Sequence, residues 1–86
     1  MKEEKKLDYI SDLASGNKQV ELKDGSKIEI RKPKVKDIRL VKHIKDDEER
    51  ELNLIMNLAM KTESDIDDMD FADYQRLQSG LASFLS

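Results

Sequence analysis

Side chains able to make or break bonds are few in this chain, and their spacing does not suit the work. The densest carboxylate cluster is Asp65, Asp67, Asp68 and Asp70. A calcium-binding loop opening at Asp65 needs an oxygen ligand at its fifth position, glycine at its sixth and glutamate at its twelfth, where the chain offers Met69, Asp70 and Arg76. The cluster therefore reads as helix capping and solvated surface rather than as a metal site. His43 is the only histidine and cysteine is absent, so neither an imidazole-rich metal site nor a Ser-His-Asp triad has its material. Thiolate chemistry and disulfides are equally unsupported, as in a protein of a reducing compartment. The three glycines stand far apart at positions 16, 25 and 80, which leaves no glycine-rich phosphate loop. No catalytic, cofactor-binding or metal-binding residues are assigned, and a non-enzymatic protein without a cofactor is expected.

Binding chemistry is better represented. Residues 1–45 hold 13 Lys and Arg against 8 Asp and Glu, a net +5, whereas residues 46–86 hold 3 against 11, a net −8. The basic residues Lys27, Arg31, Lys32, Lys34, Lys36, Arg39, Lys42 and Lys45 could face phosphates. However, no aromatic ring is interleaved with them to stack on bases, and a pI near 5.2 opposes a polyanion partner. Nucleic-acid binding is the weaker reading. Met56, Met60 and Met69 serve as core filler or, alternatively, as an adaptable apolar groove, because thioether side chains re-pack around varied partners. Leu54 and Met60 fall off the main apolar face of their helix and belong to a binding surface unless a neighbour covers them.

The elements that position these residues follow from the apolar period, which switches at Pro33. Before it, Val20, Leu22, Ile28 and Ile30 alternate with charged residues around Asp24-Gly25, the pattern of a half-buried β-hairpin. A two-residue loop would pair Leu22 with Lys27 and put the apolar residues of the two strands on opposite faces. A three-residue loop, Lys23-Asp24-Gly25, pairs Leu22 with Ser26 and Val20 with Ile28, restoring one apolar face with Gly25 in the left-handed region. The three-residue loop is expected. After Pro33 the spacing is helical. A first helix is expected from about Lys34 to Lys45, with Val35, Ile38, Leu40, Val41 and Ile44 on one side. Asp46 to Glu49 then supply a cap and first-turn carboxylates for a second helix, expected from Glu48 to about Lys61. A short turn of helix near Asp65 to Met69 precedes a last helix from Phe71 to Leu85. Its apolar stripe is Phe71, Tyr74, Leu77, Leu81, Phe84 and Leu85, with Gly80 as a close-packing point. Ser64 with Asp67, and Asp70 with Asp73, have capping-box spacing.

Eighty-six residues bound the answer to a single domain with a thin core. Charged residues make up 41 % of the chain and hydrophobic ones 37 %, a balance that implies highly charged faces. Leu7, Ile10, Leu13 and Ala14 suggest a weak amphipathic helix ended by Ser15-Gly16-Asn17, so residues 1–17 are expected to be a flexible, largely disordered charged arm. No apolar run long enough for a signal peptide or a membrane span is visible. The expected fold is therefore α+β, an N-terminal β-hairpin followed by a three- to four-helix bundle in one domain over residues 18–86.

With these elements placed, the chain resembles the small tail assembly chaperones of long-tailed bacteriophages. The resemblance rests on Ile28-Glu29-Ile30-Arg31-Lys32-Pro33 followed by Asp37, on Leu54-Ile55-Met56-Asn57-Leu58-Ala59, and on Asp73-Tyr74-Gln75-Arg76-Leu77-Gln78 with Leu81 and Phe84-Leu85. It implies a protein of the host cytoplasm that binds the phage or prophage tape measure protein, engages the tail tube protein, and is absent from the mature virion. Self-association is left open. The partner-binding candidates are Leu54, Met56, Met60, Phe84 and Leu85. Such chaperones are often made in two lengths by a ribosomal slip, and Phe84-Leu85 is a dipeptide that a slippery run of uridines can encode. Two other classes stand beside this one: a nucleic-acid-binding regulator using the basic hairpin and first helix, and a generic helical adaptor.

Overall fold

The β-branched alternation before Pro33 builds a sheet, and the threefold and fourfold spacing after it builds helices that cover one face of that sheet. The computed structural model describes residues 8–85. Among them, β1 (Ile10–Asp12), β2 (Lys18–Glu21) and β3 (Lys27–Ile30) form an antiparallel sheet in the order β1-β2-β3. Four helices follow: α1 (Val35–Val41), α2 (Asp47–Ala59), α3 (Glu63–Asp67) and α4 (Phe71–Leu85).

The hairpin has the three-residue loop that parity requires. Val20 pairs with Ile28 and Glu21 with Lys27, and the Leu22 amide donates to the Ser26 carbonyl at 2.7 Å. Gly25 takes φ +92°, a conformation that strains any residue with a Cβ. Asp24 holds the turn by accepting from both the amide and the hydroxyl of Ser26. Val20, Leu22, Ile28 and Ile30 are all buried against the helices.

Residues 10–12, expected to lie in a flexible, largely disordered arm with a weak helical spacing, are an ordered part of the sheet instead. They form a third strand, with Ile10 opposite Val20, because a strand placed there puts Ile10 on the buried face of a sheet that already exists. Ser15-Gly16-Asn17, expected to end a helix, turns β1 into β2. The Leu13 amide donates to the Asn17 carbonyl, and Gly16 adopts φ +96°. Asn17 then ties the turn to the far strand, its Nδ2 donating to Glu29 and its Oδ1 accepting from the Lys32 amide. Leu7, the first residue of the expected helix, and the rest of residues 1–7 lie outside the described residues.

The helices seal the apolar face. α4 packs on β2 and α2 on β3, and a core of Val20, Ile30, Ile55, Leu58 and Leu77 is fully enclosed. Gly80 is the close-packing point expected: a Cβ there would stand 2.8 Å from Val20 Cγ2 and 2.9 Å from Ile30 Cδ1. α4 has the bounds anticipated from its stripe, although Phe71 and Leu85 at its two ends remain exposed. α1 is shorter than its apolar spacing implies. It buries only Asp37 and Val41, leaving Val35, Ile38 and Leu40 in solvent. α3 opens two residues earlier than expected. Thr62 and Asp65 exchange backbone and side-chain hydrogen bonds as its capping box, in place of Ser64 and Asp67. Asp73 is not spent on a cap either: its carboxylate accepts the Lys23 amide at 2.9 Å and fastens the hairpin loop to α4.

Candidate functional site

An apolar opening follows from how three helices are arranged. α2 packs against both α1 and α4, and between these flanking helices lies a groove of about 450 Å³. Its floor is the buried Val41, Leu54 and Leu81, and its lips are the exposed Ile38 and Leu85. Lys42, Asp47, Arg50 and Glu51 complete the lining. An open floor of aliphatic side chains from three helices can accept the apolar stripe of a further amphipathic helix, whose anchors recur every three or four residues.

α1 is the wall of this groove, and one ion pair sets its position. Pro33 turns the chain out of β3. The Asp37 carboxylate then reaches back to accept from Arg31 Nη1 at 3.0 Å, Arg31 Nη2 at 2.9 Å and the Lys34 amide at 2.8 Å. This bidentate geometry resists rotation as well as separation. The Arg31 hydrogen bonds hold the Asp37 carboxyl down at about 2, against the opposing pull of its burial. On the strand side, the Arg31 amide donates to the carbonyl of Leu58, so one residue links β3, α1 and α2. The Arg31 and Asp37 positions belonged to the sequence resemblance, but their pairing was not anticipated. The signal was available in an acid at the third position of a helix that opens just beyond a proline turn, six residues after an arginine. At the other end of α1, Arg50 donates to the Ile44 carbonyl and pairs with Asp47, fixing the α1–α2 connection.

The five candidate contact residues do not form one surface. Leu54 and Leu85 come together in the groove, Leu54 as buried floor and Leu85 as lip. Neighbours therefore do cover most of Leu54. Met60 is elsewhere, 83 % exposed, beside a separate cavity lined in part by Lys27, Ile28, Ala59 and Lys61. It ends α2 in the left-handed conformation, φ 56° and ψ 47°, and its amide donates to the Met56 carbonyl. Met56 packs partly buried against the core. Phe84 is also partly buried, with the Lys18 ammonium 5.3 Å from its ring centroid. Ile38, Val41 and Leu81 complete the apolar lining of the groove and were not among the candidates. Ile38 is exposed because α1 turns Asp37 and Val41 inward instead, a choice of face that helical period does not carry.

A second cavity, of about 370 Å³, opens between α2, α3 and α4. It holds Leu52, Ile66, Phe71 and Tyr74 among the carboxylates Asp46, Glu48, Glu49, Glu51 and Asp67. Burial first, then the charges of Glu51, Glu48 and Glu49, push the Tyr74 hydroxyl above its ordinary pKa. Among the described residues no group of three or more His, Asp or Glu side chains could hold a metal ion, and no helix is long and apolar enough to cross a membrane.

A comparison with protein families matches residues 11–86 to the family described as phage tail assembly chaperone proteins, E, or 41 or 14. No curated protein and no solved structure matches the chain.

Proposed function

Since the chain belongs to the phage tail assembly chaperone family, we propose that it holds the tape measure protein in a soluble, assembly-competent state by binding its amphipathic helices in the groove between α1, α2 and α4. The observation that carries this reading is the groove itself, an aliphatic floor of Val41, Leu54 and Leu81 left open between two helices that flank a third. A helix-in-groove contact needs no catalytic group, in keeping with a non-enzymatic role without a cofactor. Ile38 and Leu85 are the lips that close over a bound helix, and Lys42 and Glu51 offer charge to its polar flank. In this reading the protein works in the host cytoplasm, delivers the tape measure protein to the tail tube protein, and leaves before the virion is complete.

The test is co-expression with the tape measure protein, reading the partner's soluble fraction. Ile38→Glu with Leu85→Glu alters two exposed lips and spares the buried floor. The wild-type chain should raise the soluble fraction severalfold and the double variant should not, while circular dichroism shows both equally folded. Undiminished solubilisation by a folded double variant would exclude this groove. Met60→Glu, on a different cavity, should leave solubilisation unchanged.

A further inference from the structure

α1 turns one face inward, through Asp37 and Val41, and leaves another with no covering element. On that outer face Val35 is 75 % and Leu40 60 % exposed, and Lys36 and Arg39 stand between them in helical order. Neither base is in an ion pair with a described residue, for the ion pairs found are Lys18–Asp12, Arg31–Asp37 and Arg50–Asp47. Two large aliphatic side chains and two unneutralised cations on a seven-residue helix form an unbalanced surface.

Its complement is elsewhere on the same molecule. The cleft between α2, α3 and α4 displays Phe71, 69 % exposed, above the partly buried Leu52 and Tyr74, and Glu48, Glu49, Glu51 and Asp67 surround it. None of these four carboxylates is paired with a described cation. The cleft shares only Glu51 with the α1–α2–α4 groove, so both can be occupied together. Apolar contact supplies attraction at the centre, and opposite charges at the rim set orientation and raise the rate of encounter.

We propose that the outer face of α1 docks into the α2–α3–α4 cleft of a second copy of this chain. The two surfaces differ, so the contact is heterologous: each copy keeps a free α1 at one end and a free cleft at the other, and copies add in line. The contact is small and charge-rich, which makes it weak, reversible and sensitive to salt. It is independent of the tape measure reading, because neither surface includes the groove floor or its lips.

Sedimentation equilibrium of the full chain tests this, at protein concentrations up to about 1 mM, where contacts of this size become populated. In about 0.01 M salt, with a screening length of about 30 Å, the average mass should rise at least about twofold over the monomer; in about 1 M salt, with about 3 Å, it should fall back. Lys36→Glu with Arg39→Glu removes one surface, and Glu48→Lys with Glu49→Lys removes the other. Each variant alone should stay monomeric, and an equimolar mixture should give a capped heterodimer, since one retains a working α1 and the other a working cleft. In the wild-type chain, amide shifts at residues 35–40 and at Leu52 and Phe71 should move together with concentration. That readout serves if a variant fails to fold. A wild-type chain monomeric throughout, self-association indifferent to salt, or folded variants that do not combine on mixing would each overturn the proposal. So would shifts that appear only when a different basic protein is added.

Discussion

Replacing Gly80 with alanine should destabilise the domain even though alanine is the better helix former. In an exposed helix the change would gain about 1 kcal/mol. Here the new methyl would arrive 2.8 Å from Val20 Cγ2 and 2.9 Å from Ile30 Cδ1, roughly 1 Å inside van der Waals contact. Ile30 can give way by turning its terminal methyl. Val20 cannot do so cheaply, since it is stiff at χ1, fully buried, and on the central strand between β1 and β3. Overpacking of this kind costs about 1–3 kcal/mol, and with two fully buried neighbours the upper part of that range applies. The net loss is then about 1–2 kcal/mol, which for a domain of this size lowers Tm by roughly 5–12 °C. The assay is a double-mutant cycle by thermal and denaturant unfolding. Val20→Ala removes the nearer obstacle, so Gly80→Ala made in that background should recover about 1 kcal/mol or more of its cost. A Gly80→Ala variant that melts at or above the wild-type temperature, or a cycle with no coupling, would show that α4 and β2 are not held at this distance.

Two further outcomes follow from the Arg31–Asp37 pair and from Met60 at the end of α2. The Asp37 carboxyl titrates at about 2, below its ordinary 3.8, so its contribution is present at neutral pH and lost as pH falls through 3.8 toward 2. Asp37→Asn should cost about 2 kcal/mol at pH 7 and flatten that acid limb, checked by denaturant unfolding across pH; an unchanged limb would contradict the pairing with Arg31. Met60→Gly relieves a left-handed conformation costing about 1 kcal/mol or slightly more, so a thermal melt should shift upward by several degrees, and a downward shift would mean that the Met60 side chain makes stabilising contacts despite its exposure.

The parts of the fold that could be read from the sequence are those in which one residue's face dictates its neighbour's. Hairpin parity left a single loop length that brings Val20, Leu22, Ile28 and Ile30 to one face, and the stripe through Leu77 and Leu81 set α4 to its final bounds. β1 was illegible because three residues cannot display an alternation, and Ile10, Leu13 and Ala14 happen to match a helical spacing. α1 misled for the opposite reason. Its apolar residues have the right period, but the helix is held by the Arg31–Asp37 pair and by Val41, so Val35 and Leu40 never reach the core. The candidate site was visible only in fragments, since Leu54 and Leu85 are thirty-one residues apart in sequence. What brings them to one groove is the packing of α2 between its neighbours, which a one-dimensional pattern does not record.

The last helix is also the clasp of the first strands. Tyr9 hydrogen-bonds Ser79, Asp73 holds the Lys23 amide, and Arg76 both donates to the Glu21 carbonyl and lies 4.5 Å from the Tyr9 ring centroid. These partners are separated by 50 to 70 positions, so the chain must close a long loop before any of them is made, and that entropy is lost before the contacts return it. The order of folding is set accordingly: the local pairing of α1 with α2 can form early and α2 can back β3, whereas β2 stays without its apolar backing until α4 arrives. A nascent chain emerging from the ribosome exposes Val20 on β2 until residues 73–81 have been made. For that interval the β2 side of the sheet is an unprotected apolar face of the kind that aggregates.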